Sequence, residues 1–133
     1  MAPRSAADRG LARRVLSRAM NSEEVAVANL SCAKKAPAEA WAVVMYFYAA
    51  VHAVNHHRFG KANVPASFKH WERNQHVMLE LPAVDGKYRA LVRLAHDARY
   101  HAHLLPLNEQ HVAKAKELAV AVFGCAGVTV PSG

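Results

Sequence analysis

The stretch Trp41–Gly60, WAVVMYFYAAVHAVNHHRFG, decides the fold class because its large side chains recur at helical spacing. The series that follows i, i+3, i+4, i+7 spacing is Trp41, Val44, Met45, Tyr48, His52 and then Asn55 or His56. Pro37 lies close to the first turn and Gly60 follows the last periodic residue, positions that typically begin and end helices. The pattern predicts a central buried helix over about residues 38–59.

The rest of the chain predicts four more helices joined by short connectors. Their expected ranges are about 22–35, 68–81, 88–103 and 109–123. Asn21 or Ser22 and Asn108 are favourable N-caps, and Gly124 is expected to stop the last helix. Neither hairpin turns nor strand patterns are needed, so the expected fold class is all-α, an up-and-down bundle of four to five helices.

The expected domain organisation has three parts: a basic arm over residues 1–20, the bundle over 21–124 and a flexible tail over 125–133. Residues 1–19 hold five arginines and one aspartate, so this arm carries +4 of the net charge of +7. Such an arm is typical of a nucleic-acid-binding extension, the start of an organellar targeting segment, or a poorly ordered extension that includes a misassigned start. The net charge alone therefore does not indicate nucleic-acid binding by the bundle.

Cysteine usage and hydropathy predict a cytoplasmic protein. Cys32 and Cys125 lack the C-x-x-C spacing of a zinc or redox pair, so we expect both to be reduced and to fill the core. The longest apolar run, Ala38–Val54, is interrupted by Glu39 and His52. It is too short and too polar for a membrane span, and we expect no membrane partner.

Three blocks of the sequence, taken in order, resemble the HEPN (higher eukaryote and prokaryote nucleotide-binding) superfamily. They are the central stretch 41–60, HWERNQHV at 70–77 and YRALVRLAHDARY at 88–100, and the similarity covers about residues 22–123. The resemblance implies an all-α bundle that forms a homodimer. Many members are metal-independent endoribonucleases of toxin–antitoxin or defence systems, and others bind nucleotides or protein partners without catalysis. RNA or a nucleotide, and a cognate antitoxin or operon partner, are therefore expected partners.

Catalytic members of that superfamily carry an Arg-x4-6-His motif at the dimer interface, and Arg89 and His96 match its loosest spacing. In that role Arg89 would clamp the phosphate and His96 would act as general acid or base. Arg93, Arg99 and Tyr100 are the expected substrate-binding residues. On a straight helix, positions seven apart are separated by about 10 Å along the axis, so one phosphate engages both residues only if their long side chains converge or if each chain of a two-fold dimer contributes. The alternative is a non-catalytic nucleotide- or protein-binding module that uses the same strip.

Several of these residues also have a structural interpretation. Arg99 is expected to form an ion pair inside the bundle, and its candidate partners are Glu39, Glu72 and Asp97. The aromatic residues at helical spacing are expected to belong to the core before they serve as stacking platforms; they are Trp41, Tyr46, Tyr48 and Trp71. On the helix over 68–81, the expected apolar side consists of Trp71, His76 or Gln75, Met78 and Leu79.

The histidines raise the question of a metal site. His52 and His56 are four residues apart, a spacing at which two imidazoles can share a metal ion. The further candidate ligands are His57, His70 and His76. No Glu-x-x-His or His-Glu-x-x-His pattern accompanies them, so we expect neither a metal nor another cofactor, and His52 is expected to be a core histidine. The others, His101, His103 and His111, are expected to face solvent around a helix end, favoured by its C-terminal dipole.

Overall fold

A computed structural model describes residues 22–34, 38–62, 69–100 and 107–131. Helix α1 covers residues 22–34, and the later helices are α2 (Glu39–Gly60), α3 (His70–Glu80), α4 (Asp85–Tyr100) and α5 (Glu109–Ala126). A short 3-10 turn, Pro82–Val84, joins α3 to α4. The described ranges contain no strand, and the all-α bundle is confirmed. The basic arm over residues 1–20 lies outside the described residues, as do His101 and His103.

The centre of the bundle is α2, which packs against α3, α4 and α5. Its side chains are apolar around most of the helix, and a helix of that kind is buried on several sides. Val43, Phe47, Ala50 and Val54 are fully buried within it. The expectation of a central buried helix is therefore confirmed. No described helix is long and apolar enough to cross a membrane.

The side of α2 that the sequence pattern assigned to the core is its least buried side. Trp41 and Tyr48 are 65% and 38% exposed, and Met45, His52 and His56 are only partly buried. Of the aromatic residues expected in the core of this helix, Tyr46 is buried. The prediction was wrong for Trp41 and Tyr48 because smaller residues on the opposite side allow α4 and α5 to pack closely.

Of the residues expected on the apolar side of helix α3, His76 is buried, but most of the others are exposed. Trp71 and Leu79 are 62% and 64% exposed, whereas Arg73, His76 and Val77 are buried against the bundle. Burial of Arg73 and His76 requires polar partners on neighbouring elements, which periodicity does not display. The prediction of Trp71 as a core residue was wrong for this reason.

The two cysteines do not fill the core. Cys32 and Cys125 are exposed free thiols. Cys125 lies in the last turn of α5, where the neighbouring Val122 and Ala126 are buried. The expectation of core-filling cysteines was wrong because a small apolar side chain is compatible with either side of an amphipathic helix.

The N-terminus of α5 has the predicted cap. The Asn108 carboxamide oxygen accepts hydrogen bonds from the backbone N–H groups of Gln110 (2.9 Å) and His111 (3.3 Å). The backbone N–H of Asn108 in turn donates to Nδ1 of His111 at 3.1 Å, which completes a capping box. His111 therefore lies at the N-terminal end of a helix, so its expected place at a C-terminal dipole was wrong.

Helix α5 ends later than predicted. Gly124 lies inside the helix, which continues to Ala126 and is capped by Gly127 in the left-handed conformation, φ 81°. The next residue, Val128, is 3% exposed and belongs to the core cluster. A glycine ends a helix when the chain needs a positive φ there, and in this chain Gly127 meets that need.

Candidate functional site

Helix α4 presents four of the predicted site residues on one exposed side. Arg89, Arg93, His96 and Tyr100 follow i, i+4, i+7, i+11 spacing and fall within about 60° of one another around the helix. All four are exposed, and Tyr100 is 59% exposed. We call these four residues the outer face of α4. The opposite side of the helix, which includes Leu91, is buried.

Within this outer face, Arg89 is held by Asp85. Its Nη2 lies 3.0 Å from Asp85 Oδ2, and its Nε donates to Asp85 Oδ1 at 3.2 Å. The two contacts form a fork-like pair, although the exposure of Arg89 and the partial exposure of Asp85 keep its net stabilisation small. Arg89 and His96 are two turns apart, about 10 Å along the axis. One phosphate is therefore not within easy reach of both residues of the same chain.

Arg99 does not form the ion pair expected from the sequence. Its Nε donates to the carbonyl oxygen of Ala95 at 3.3 Å. Its guanidinium carbon lies 5.4 Å from the ring centroid of Phe47 and 5.6 Å from that of Tyr100. Within the described ranges it lies beside none of the three carboxylates proposed as partners, which are Glu39, Glu72 and Asp97. Stacking on two aromatic rings takes the place of the carboxylate.

A second group of polar residues lies where α2, α3 and α4 meet. We call it the cationic junction, and it consists of His52, His70, Arg73, Tyr88 and Arg99. Arg73 is 4% exposed, and its Nη2 donates to Nδ1 of His70 at 2.8 Å. The Tyr88 hydroxyl is buried beside the Arg73 guanidinium without a well-directed hydrogen bond. The residues come from three helices, so the fold assembles this group.

The electrostatics of the junction are dominated by arginine. Burial lowers the pKa of His52, and Arg73 lowers it further. Burial also lowers the pKa of His70, as do both Arg73 and Arg99. For Tyr88, burial raises the pKa while Arg73 opposes that effect. Both histidines are therefore neutral at pH 7, and the junction as defined carries two positive charges from its arginines.

The outer face and the junction form one continuous row of rings and guanidinium groups. The His96 and Tyr100 ring centroids are 4.9 Å apart, and Arg99 lies over the Tyr100 ring at 5.6 Å. Arg99 also lies over Phe47, and the Phe47 and His70 rings stack with centroids 6.3 Å apart and planes inclined by 24°. Arg99 thus links the outer face to the buried Phe47, and the row ends at the exposed His70.

Sequence reasoning had brought the outer face together but had missed most of the junction. His70 and Arg73 lie in the block HWERNQHV, where their i, i+3 spacing places them about one turn apart. Arg73 is four residues before the buried Val77, and positions four apart lie on the same side of a helix. This spacing was the sequence signal that could have indicated a buried Arg73. His52, expected to be a core histidine, is only partly buried and faces this junction.

Two further observations limit what this region can be. Within the described ranges, no group of three histidine, cysteine or acidic side chains is arranged to hold a metal ion. A depression of about 300 Å³ lies between α2 and α3, lined in part by Arg58, Trp71, His76 and Leu79. It is therefore separate from the outer face of α4.

Comparison with known proteins gives no further guide to function: no family model, curated protein or solved structure matches this chain. The resemblance to the HEPN superfamily therefore rests on the three sequence blocks. Because unrelated proteins share helical bundles, the fold by itself does not assign an activity.

Proposed function

We propose that this chain is a HEPN-like helical module that binds RNA through the outer face of α4, without catalysis, as a cytoplasmic homodimer. The observation that supports this proposal is the side-by-side exposure of Arg93, His96 and Tyr100 on one helix. Arginine contacts phosphates, and an exposed tyrosine ring is a platform on which an unpaired base can stack. The row continues through Arg99, which extends the surface available to a single strand.

Binding fits this geometry better than cleavage does. The arginine proposed as the phosphate clamp, Arg89, is paired with Asp85 and is two turns from His96. The outer face also offers one histidine per chain, whereas cleavage without a metal needs both an acid and a base. An exposed side of a helix, moreover, does not exclude water from a reacting phosphate.

A second candidate function is a metal-independent endoribonuclease of a toxin–antitoxin or defence system. It is favoured by one observation: Arg89 and His96, the Arg-x4-6-His pair, lie on the same exposed side as Arg93. In a two-fold dimer, His96 from both chains would supply the acid and the base. A cognate antitoxin would then be expected to cover the outer face of α4.

Binding is tested by fluorescence anisotropy with a labelled single-stranded RNA of mixed sequence that carries hydroxyl groups at both ends. We expect Arg93→Gln to weaken binding about tenfold at low salt and to reduce the slope of affinity against salt by about 0.7. Tyr100→Ala should weaken binding by a similar factor through lost stacking. The matched control is Lys116→Gln, which removes one positive charge from α5. Equal affinities for all four proteins would overturn the proposal.

Cleavage is tested by incubating the protein with total RNA in excess EDTA beside His96→Ala. Products from the wild type alone would establish the endoribonuclease and reject the non-catalytic module. If RNA is bound but neither protein cleaves it, the binding module is supported. Cleavage by both proteins would reject His96 as the acid–base residue. The homodimer is tested separately by size-exclusion chromatography with light scattering. A measured mass equal to that of one chain would contradict it.

A further inference from the structure

We propose that the cationic junction is a binding site for a phosphate monoester, the group carried by a nucleoside monophosphate or by the end of an RNA strand. The proposal concerns residues of α2, α3 and α4 outside the outer face of α4, and it deepens the proposed RNA binding by assigning a second, chemically distinct subsite. It does not require that the outer face bind RNA, because the junction has its own donors.

The first argument is charge. Arg73 and Arg99 contribute two permanent positive charges, and the other members, His52, His70 and Tyr88, are neutral at pH 7. A phosphate monoester carries about −1.5 to −2 at neutral pH, whereas an internal phosphodiester carries one negative charge. Two guanidinium groups therefore match a monoester better than a diester.

The second argument is the direction of the donors. The Arg73 guanidinium donates to Nδ1 of His70, so the proton of the neutral His70 ring resides on Nε2. That ring therefore presents an N–H donor on the edge away from Arg73. Arg99 uses its Nε for the carbonyl of Ala95, which leaves its terminal nitrogens as the donors for a ligand. A phosphate has the acceptor oxygens that this set requires.

The third argument is the platform on which the donors rest. The Arg99 guanidinium and the His70 ring both lie against the fully buried Phe47, at 5.4 Å and 6.3 Å between centres. Arg99 is close enough to His70 to lower its pKa. Contact with an apolar ring restricts the plane of each donor and reduces its screening by water, which strengthens its interaction with an anion. His70 is exposed and Arg99 is partly buried, so a ligand can reach both side chains.

The proposal is tested by calorimetric titration of the full chain with inorganic phosphate, AMP and adenosine. We expect phosphate and AMP to bind with 1:1 saturation and adenosine not to bind. Two variants remove donors and keep the Arg73 side chain: Arg99→Gln and His70→Phe. The second keeps a ring on Phe47 but also removes the Nδ1 acceptor of Arg73. Each should weaken AMP binding at least tenfold, whereas Lys116→Gln should change it less than twofold. Circular dichroism confirms that each variant is folded.

The source of the monoester is distinguished with one RNA oligonucleotide made with a 5′-phosphate or a 5′-hydroxyl group. Tighter binding of the phosphorylated strand that is lost in His70→Phe would assign the site to an RNA end. AMP binding without that preference would assign it to a free nucleotide. If neither phosphate nor AMP binds, or if both variants bind AMP like the wild type, the proposal is wrong and the junction is a structural polar cluster. Binding of the 5′-hydroxyl strand reports on the outer face alone, so the two proposals can fail independently.

Discussion

Nε2 of His76 lies 2.9 Å from Nδ1 of His57, and this contact joins the buried side of α3 to the last turn of α2. The two rings are nearly edge to face, with centroids 5.1 Å apart. A hydrogen bond between two imidazoles needs a proton on only one of the facing nitrogens. A proton on each would oppose two N–H groups, so the contact depends on at least one neutral ring.

This contact predicts that the protein loses stability in mild acid. Burial, helped by His57 and Arg58, lowers the pKa of His76 to about 4, whereas the unfolded chain binds its proton near pH 6.5. Between these pH values the unfolded state holds more protons, so the free energy of unfolding falls as the pH is lowered, by on the order of 3 kcal/mol in total. Urea unfolding followed by circular dichroism at pH 5, 6 and 7 measures this decrease.

The matched variant is His76→Gln, which can still hydrogen-bond to His57 but does not titrate. Its unfolding free energy should depend less on pH over the same interval. Some dependence should persist, because His52, His57 and His70 also have lowered pKa values and act in the same direction. A variant with the full wild-type slope would show that the His57–His76 contact does not control the effect.

The orientation of α3 makes a prediction about two aromatic residues. Phe47 is fully buried and Trp71 is 62% exposed. Phe47→Leu should therefore destabilise the fold by about 1–2 kcal/mol through imperfect repacking, while Trp71→Ala should change it by less than about 0.5 kcal/mol. Urea unfolding of the two variants compares them directly. A loss for Trp71→Ala as large as that for Phe47→Leu would mean that Trp71 is covered in solution.

The features predicted correctly from the sequence are those with local causes. Helix periodicity located all the described helices, and the Asn108 cap follows from a side chain that bonds to the next turn of its own chain. Which side of α2 is buried has no local cause, because that helix is apolar on nearly every side. Its core side is set by small residues that let α4 and α5 approach, and the larger Trp41 and Tyr48 misled the prediction.

The candidate site also has one part that follows from local sequence and another that depends on tertiary packing. Arg89, Arg93, His96 and Tyr100 belong to one helix, so their common exposed side could be computed from spacing. The junction contains one residue from α2, two from α3 and two from α4, and only tertiary packing brings them together. A buried arginine such as Arg73 also contradicts the usual rule that charged side chains face water, so periodicity placed Trp71 and Leu79 in the core instead of Arg73.

The end of α5 supplies a matched pair of glycine substitutions with opposite expected signs. Gly124 is helical and exposed, and a methyl group there would meet no atom within 4 Å. Gly124→Ala should therefore stabilise the protein by about 0.5–1 kcal/mol. Gly127 has φ 81°, which alanine adopts at a penalty of about 1–2 kcal/mol, so Gly127→Ala should destabilise it. Thermal unfolding by calorimetry measures both changes in stability. If both substitutions stabilise the protein, or both destabilise it, the assignment of Gly127 as the helix cap is contradicted.

The pair between Asp85 and Arg89 predicts that removing a carboxylate strengthens RNA binding. Asp85 occupies the edge of the Arg89 guanidinium formed by Nε and Nη2, and it adds a negative charge beside the outer face of α4. In Asp85→Asn that charge is gone and Arg89 can contact a phosphate, so affinity should rise about threefold to tenfold at low salt. The same variant loses a favourable charge in the first turn of α4, which should lower stability by about 0.3–1 kcal/mol.

Anisotropy titrations at several salt concentrations separate a new phosphate contact from a general change in net charge. One added contact should steepen the slope of log affinity against log salt by about 0.7, whereas a distant charge should leave it nearly unchanged. Glu117→Gln is the control, because it removes one carboxylate from α5, where Glu117 faces Lys114 at 3.6 Å. If Glu117→Gln raises affinity as much as Asp85→Asn, the gain comes from net charge alone. A larger gain for Asp85→Asn than for Glu117→Gln would place bound RNA beside Arg89. It would also show that the ion pair with Asp85 keeps Arg89 from contacting the phosphate in the wild type.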